Sequence, residues 1–357
     1  MPFSTRLRPV ALILACALLG GCYYLQAARG QLEVLNKRES IDEVIDDPDT
    51  PEDLAARLAL LRAARDFSIS ELKLPDNKSY RTFSDLDRDY VVWNVVAAPE
   101  LSVEARTWCF PVAGCVAYRG YFSEEKAWRK AEALAEDGYD IFVGGATAYS
   151  TLGNFNDPVL STMLRRDDTL LVALLFHELA HQVLYVKGDT SFNESFATAV
   201  EELGIERWLD RQGNSAEFDR WKRYKAWSDD LTRIALGARD DLEAVYASDL
   251  DDAAKREQKS ARLDALTAAL LKRADEEGVD ASGWWQDQPL NNARLANWSA
   301  YESHVPAFRQ LFDECEESFE CLYRRASELA ELSQAERAER LEALGAMSEV
   351  ASVSRAE

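Results

Sequence analysis

The chain has 357 residues, of which 47% are hydrophobic, so it is long and apolar enough to bury the core of a globular protein. Its 63 acidic and 41 basic residues give a net charge of −22 at pH 7, which argues against nucleic acid as a partner. The patterns described below, in chain order, predict a mostly helical α+β fold in which a small α/β unit packs on a helical part.

Residues 1–21 have the features of a bacterial lipoprotein signal peptide. Arg6 and Arg8 precede an apolar run over residues 10–19, which is too short to span a bilayer. The Leu-Gly-Gly-Cys that follows resembles a lipobox, so we expect cleavage before Cys22 and lipidation of its thiol, which would tether the mature chain to a membrane. A simple secreted protein or an uncleaved anchor is the alternative. Because Tyr23 stands where aspartate favours inner-membrane retention, we predict a cell-envelope protein on the outer membrane, facing the periplasm.

The four remaining cysteines of the mature chain occur as two pairs. They are Cys109 with Cys115, and Cys315 with Cys321. An even, paired count in an exported chain predicts two disulfides, each closing a short loop that adds only about 2 kcal/mol. The alternative is a zinc site of four cysteines, which expects closer ligand spacing.

Capping and composition predict the first elements of the mature chain. Residues 22–75 form a helical segment that connects the anchor to the body, with Thr50 as an N-cap before Pro51. Residues 76–165 form an α/β part, because two stretches rich in β-branched and aromatic residues flank an alanine-rich helix at residues 123–137. These predicted strands are DYVVWNVVAAPEL and DIFVGGATAYSTLG.

The rest of the chain is predicted to be helical up to residue 335. Residues 166–335 contain stretches that alternate acids and bases, as solvated helix faces do. Glu202 and Glu206 are expected on such a solvated face. Residues 336–357 lack a core-facing pattern, so we expect a flexible tail there.

The segment LLFHELAHQVLY, residues 174–185, contains two of the three histidines of the chain, four residues apart. On an α-helix such residues lie one above the other, so the imidazoles of His177 and His181 can point at one ion. This His-Glu-x-x-His arrangement is typical of zinc hydrolases, in which Glu178 would be the general base on the water that the metal activates. The alternative is two histidines inside a helical core, which needs partners for their ring nitrogens and for a buried glutamate.

A catalytic zinc ion of this type needs a third protein ligand, which we expect from the next helix. Asp167 or Asp168 can cap the motif helix, and Ser191 can cap the helix that follows. Glu194 lies in the first turn of that second helix. Glu201 lies two turns further along the same face, where it can hold a ligand in place through a hydrogen bond or act as the third ligand itself.

Two resemblances bear on this choice. Asn-Glu-Ser-Phe-Ala at residues 193–197 resembles the NE-x-F-A segment of gluzincins such as aminopeptidase N, in which the glutamate completes the zinc site, and this favours Glu194 over Glu201. Several segments between residues 22 and 330, FHELAHQ and FNESFAT among them, resemble the putative aminopeptidase family of Gram-negative bacteria, whose members are predicted zinc-dependent lipoproteins. The resemblance implies one zinc ion and a gluzincin-like catalytic part.

The likeness to gluzincins also implies where a peptide substrate would bind. Residues 145–153 precede the motif helix by about the distance at which gluzincins place an edge strand along their substrate. Ala148, Tyr149, Ser150 and Thr151 would then bind the peptide through the backbone. An ordinary core strand is the alternative.

Tyr301 is the candidate for stabilising the oxyanion of the tetrahedral intermediate. A tyrosine or histidine usually takes this role in such peptidases. Tyr149 and Tyr246 are its rivals, and His304 either shares the role or caps the helix that follows it.

These features together predict one catalytic unit over residues 76–335 that hydrolyses peptides with zinc, with aminopeptidase action as the more specific hypothesis. Intact Glu178 favours catalysis, since a structural metal site does not use a general base. Two alternatives stay open: a zinc hydrolase of a non-peptide substrate such as a cell-wall amide or ester, and a non-catalytic metal-binding envelope protein.

Overall fold

The computed structural model describes residues 23–110 and 114–356 of the chain, with side chains up to residue 347. Cys22 and the signal peptide predicted at residues 1–21 lie outside the described residues. The described residues form long helices and small sheets, which confirms the predicted mostly helical α+β fold. Within them, every helix falls short of the length or the hydropathy that a membrane span requires.

The N-terminal elements belong to the main core instead of merely leading to it. They are α1 at residues 23–36, β1 at Arg38–Ser40, α2 at Ile41–Asp46 and α3 at Glu52–Ser70. Val34 and Leu58 are fully buried among side chains of the later helices. The described part of the predicted connecting segment at residues 22–75 therefore also contributes to the core. The N-cap of α3 is Pro51, one residue after the predicted Thr50.

A three-stranded antiparallel sheet forms the centre of the α/β part. The elements between residues 82 and 160 are β2 at Thr82–Ser84, β3 at Val92–Pro99, β4 at Trp108–Phe110, β5 at Gly114–Val116, β6 at Arg119–Tyr121, α4 at Glu124–Glu136, β7 at Tyr139–Ala146 and β8 at Val159–Leu160. β3 lies between β6 and β7, so β7 is an edge strand. On one face of this sheet, Ala127 and Ala131 of α4 pack against Val95 and Val143.

Eight helices follow in the described part of the chain. They are α5 at Asp168–Ala180, α6 at Thr190–Gln212, α7 at Ser215–Ala247, α8 at Asp252–Glu276, α9 at Asn292–Glu302, α10 at Val305–Glu314, α11 at Phe319–Ala330 and α12 at Gln334–Ala356. Asp167 caps α5 by accepting a hydrogen bond from the N–H of Leu170, as the sequence predicts. Asp189, and not Ser191, caps α6 by accepting from the N–H of Phe192.

α12 occupies the region where we expected a flexible tail. Leu341 and Leu344 are 2% and 3% exposed in the main core. Arg337, which is 4% exposed, places Nε and Nη2 2.9 and 2.7 Å from Oδ2 of Asp189. The predicted tail is therefore wrong for residues 336–347, because positions 337, 341 and 344 form an inward helical face.

Both predicted disulfides are present. Cys109–Cys115 joins facing residues of β4 and β5. Cys315–Cys321 joins the end of α10 to the first turn of α11. The two bonds therefore close local turns, as the short loops in the sequence indicate.

Candidate active site

The His-Glu-x-x-His motif lies at the C-terminal end of α5, within the main core. Leu175 and Phe176 beside it are fully buried and hold the helix in place. His177 and Glu178 lie in the last turn of α5, and His181 caps its end while keeping a helical backbone. The three motif residues are at most 8% exposed, so they form an almost enclosed polar site.

Glu194, near the start of α6, meets both histidines of the motif. Its Oε2 lies 3.4 Å from Nε2 of His177 and 3.5 Å from Nε2 of His181. One potential ligand atom from each residue lies within 4.8 Å of the other two. Ligands held 2.0–2.2 Å from a tetrahedral metal ion lie about 3.3–3.6 Å apart, and the two distances from Glu194 to the histidines fall in this range. His177, His181 and Glu194 could therefore hold a metal ion.

Hydrogen bonds fix the loop between α5, which carries the two histidines, and α6, which carries Glu194. The side chain of Asn193 accepts from the N–H of Val186 at 2.7 Å and donates to its carbonyl at 2.8 Å. Asp189 at the N-cap of α6 binds Arg337 of α12. The start of α6, which carries Glu194, is therefore tied to the preceding loop and to α12.

Glu201 contacts the second ring nitrogen of His177, Nδ1, and is not one of the three potential metal ligands. Its Oε2 lies 3.0 Å from Nδ1 of His177. A hydrogen bond donated by Nδ1 selects the tautomer whose Nε2 is free to bind a metal. The structure thus places Glu201 where it can hold His177 in place through a hydrogen bond, the first of the two roles that the sequence leaves open. Nδ1 of His181, by contrast, is buried without a hydrogen-bond partner among the described residues.

We expect Glu201→Ala to weaken metal binding by about 10- to 100-fold, because His177 would lose the contact that fixes its ring. Competition with a chromophoric chelator would measure the dissociation constant. Asp210→Ala, at an exposed position of the same helix, is the matched control and should leave the constant unchanged. An unaltered constant in Glu201→Ala would show that Glu201 does not support the ligand.

Opposite charges stabilise the group when no metal is bound. Burial raises the pKa of Glu194, but His181 and His177 overcome this effect and lower it to about 2. Burial lowers the pKa of His177, but hydrogen bonds with Glu194 and Glu201 raise it to about 10. The metal-free protein therefore holds a positively charged imidazole between two carboxylates at neutral pH, and a bound cation would replace that charge.

Glu178 lies beside this group with the properties of a general base. Its side chain is buried, and Oε2 has no hydrogen-bond partner among the described residues. Burial raises the pKa of its carboxyl group, against the opposing charges of His177 and His181. A carboxylate with a raised pKa and a free oxygen can take a proton from water and return it later.

Three tyrosines lie close enough to Glu194 for its charge to raise their pKa. The ring of Tyr301 stacks on His177 with centroids 6.4 Å apart, and Glu194 is the largest cause of its raised pKa. For Tyr118 and Tyr185, burial is the first cause and Glu194 the second. Because these phenols stay protonated at neutral pH, they can donate hydrogen bonds to developing negative charge.

The hydroxyls of the two rival tyrosines for the oxyanion role have hydrogen-bond partners elsewhere. The hydroxyl of Tyr149 donates to Gln31 of α1. The hydroxyl of Tyr246 lies 3.0 Å from Oδ1 of Asn292. His304 occupies the N-cap position of α10, but its side chain makes no capping hydrogen bond, and burial lowers its pKa. The structure therefore brings Tyr301 to the site and places its predicted rivals in other contacts.

The predicted substrate strand is wrong in its extent. β7 is an edge strand, but it ends at Ala146, and residues 148–151 continue without strand pairing. The reason is a local contact: the N–H and hydroxyl of Thr151 donate to the two carboxylate oxygens of Asp157 at 2.9 and 2.5 Å. These bonds turn the chain away from the strand direction.

The solvated face expected for Glu202 is also wrong, whereas Glu206 keeps 30% of its side chain exposed. Glu202 is 4% exposed and lies 2.7 Å from Nζ of Lys225 and 3.0 Å from Nη1 of Arg309. Nη2 of Arg309 contacts Glu206 at 3.0 Å. Cations from α7 and α10 therefore neutralise these carboxylates behind the site.

Sequence reasoning missed three tyrosines near the site. Tyr118 follows the first cysteine pair and Tyr185 follows the His-Glu-x-x-His motif. Their closeness in sequence to these features could have indicated that they lie near the site. Tyr80 had no comparable signal. Its buried hydroxyl has no partner among the described residues, and Glu178 is, after burial, the largest cause of its raised pKa.

The chain matches a known family over most of its length. Residues 22–341 match the family described as putative aminopeptidase. No curated protein and no solved structure shows a significant match. The matched range includes the four motif and ligand residues, namely His177, Glu178, His181 and Glu194. The chain therefore belongs to the putative aminopeptidase family.

Proposed function

We propose that this protein is a zinc-dependent peptidase and, more specifically, an aminopeptidase. Family membership supports peptide hydrolysis in general. The zinc dependence is carried by one observation: Nε2 of His177 and Nε2 of His181 converge on Oε2 of Glu194. Two imidazoles and one carboxylate are the ligand types of catalytic zinc sites, which keep a fourth position open.

The residues of the site have distinct roles in this proposal. When bound by His177, His181 and Glu194, zinc would polarise a carbonyl group and lower the pKa of a water to about 7. Glu178 would take a proton from the attacking water and deliver it to the departing amine. The hydroxyl of Tyr301 would donate a hydrogen bond to the oxyanion that forms when water attacks.

A panel of free-amine and N-blocked peptides, assayed with zinc-loaded and chelated protein, tests this function. We expect hydrolysis of free-amine peptides that chelation abolishes and zinc restores. Cleavage of blocked peptides alone would reject the aminopeptidase assignment. If zinc-loaded protein cleaved no peptide, a non-peptide amide or ester substrate or a non-catalytic metal-binding role would replace the proposal.

We further propose that a lipid on Cys22 holds the mature chain at the outer membrane, facing the periplasm. The lipobox-like sequence before Cys22 supports the anchor. The two disulfides support an oxidising compartment such as the periplasm. Mass spectrometry of the N-terminal peptide, isolated from membranes, would detect the acyl chains, and an unmodified thiol would reject the anchor.

Metal binding is expected to release a proton from His177. Its pKa of about 10 means that the imidazole is charged at pH 7, whereas a metal ligand must be neutral. Metal affinity should therefore rise as pH increases towards the pKa. Calorimetry at pH 7 in two buffers of different ionisation enthalpy should show at least about one proton released per ion, also in Glu178→Gln. Binding without proton release would contradict the charged state assigned to His177.

A further inference from the structure

The helix that directly follows Cys22 has an apolar face that the described protein leaves exposed. On α1, Leu25, Leu32 and Tyr24 are 73%, 56% and 51% exposed. Ala28 lies between the two leucines and is exposed as well. Positions 25, 28 and 32 repeat at the helical period, so these side chains form one stripe along α1.

The opposite face of α1 is docked on the protein, so the helix cannot rotate to bury this stripe without losing its contacts. The side chain of Gln26 accepts a hydrogen bond from the N–H of Phe122 at 3.1 Å. A Cβ atom at Gly30 would lie 2.1 Å from the ring of Phe122, so only glycine permits this close packing. Val34 is fully buried in the main core.

The charges on α1 favour a lipid surface over solvent. The chain as a whole has a net charge of −22. The exposed residues of α1 nevertheless include the basic Arg29, and the one acidic residue of this helix, Glu33, is only partly exposed. The acidic Glu33, at the margin of the exposed face, pairs with Arg88 at 2.9 Å. An anionic bilayer would therefore meet apolar and basic groups on this face.

The position of Cys22 in the sequence gives the second reason to choose a membrane. This cysteine directly precedes Tyr23, the first residue of α1. Acyl chains on Cys22 would hold the first turn of α1 at the lipid headgroups, because so short a connection cannot carry the helix away from the surface.

We propose that α1 lies in the membrane surface. Leu25 and Leu32 would enter the acyl region of the bilayer just below the headgroups, and Arg29 would lie among the headgroups. This inference rests on the proposed lipid anchor at Cys22. The bilayer would then hold the protein at two points, the acyl chains and the docked helix. A helix fixed to both membrane and protein gives the enzyme one orientation on the membrane.

Nitroxide labels on the lipidated protein test this placement. Leu25→Cys and Leu32→Cys supply labels on the stripe, while Leu250→Cys and Met347→Cys supply labels at exposed apolar positions elsewhere. The protein is reconstituted in vesicles of phosphatidylethanolamine and phosphatidylglycerol, and label collisions with oxygen and with a nickel chelate are compared. We expect the oxygen-to-nickel ratio to be several-fold higher at positions 25 and 32 than at positions 250 and 347.

Equal ratios at all four positions in acylated protein would overturn the placement of α1. Mass spectrometry of the same sample separates this result from failure of the anchor, because an unmodified Cys22 with shielded labels would reject the anchor and support the helix. The chain from residue 23 onwards, labelled at position 25 without vesicles, is the control for protein contacts. Shielding there would assign the face to a second copy of the chain and overturn the membrane assignment.

Discussion

Glu178→Gln should lower peptide hydrolysis by about 10²- to 10⁴-fold, the range that a positioned general base contributes. Glutamine has nearly the same shape as glutamate but cannot take a proton from water. Glu178 is not in the group formed by His177, His181 and Glu194, so zinc should remain bound. The measurement is kcat/KM for a free-amine peptide, with zinc content determined on the same sample.

The matched control for this variant is Glu339→Gln, at an exposed position of α12. It should retain full activity. Loss of zinc from Glu178→Gln would place the glutamate among the ligands. Unchanged hydrolysis with zinc bound would show that another group removes the proton, and the proposed mechanism would be wrong.

Arg337→Met should lower the free energy of unfolding by about 3–5 kcal/mol, the cost of breaking a buried ion pair by removing one partner. Both contacts of the guanidinium group with Asp189 are lost, and the carboxylate stays buried at the N-cap of α6. The carbonyls of Ala330 and Leu332 lose a donor too. Because α6 carries Glu194, zinc affinity should fall together with stability.

Denaturant unfolding of the metal-free protein measures this change. Arg340→Met, at an exposed position on the same helix, should change stability by less than about 0.5 kcal/mol. Asp189→Asn in the Arg337→Met background removes the unpaired charge while keeping an N-cap, so it should recover part of the loss. A loss below about 1 kcal/mol in Arg337→Met would show that the pair is not buried as described.

Local patterns predicted the parts of the protein that depend on local geometry. The spacing of His177 and His181 requires only a helix, and α5 provides it. The two cysteine pairs close short loops, and both form disulfides. The strands β3 and β7 and the helix between them follow from residues close in the chain, although the extent of the second predicted strand was wrong because Asp157 binds Thr151.

The rest depends on contacts between distant parts of the chain. Glu201 and Glu202 are neighbours in sequence, yet one binds His177 and the other meets cations from α7 and α10. Helical periodicity predicts on which face of α6 each side chain lies, but it does not predict which part of the chain packs against that face. Tyr80 and Tyr118 reach the site by the packing of the N-terminal half on α5 and α6, which no motif encodes.

The same limit explains the ends of the protein. From the sequence, α1 is interpreted as part of a connecting segment and α12 as a flexible tail, because each has few apolar residues that face the core. Their burial relies on polar partners as well: Gln26 binds the backbone of Phe122, and Arg337 binds Asp189. Such pairs cannot be recognised before both partners are placed.

X-ray absorption at the zinc edge of the zinc-loaded protein tests the central claim most directly. We predict one zinc ion per chain, with two imidazole nitrogens at about 2.0–2.1 Å, oxygen ligands at about 2.0–2.2 Å and no sulfur. A spectrum with sulfur at about 2.3 Å, or with fewer than two imidazoles, would contradict a site built from His177, His181 and Glu194.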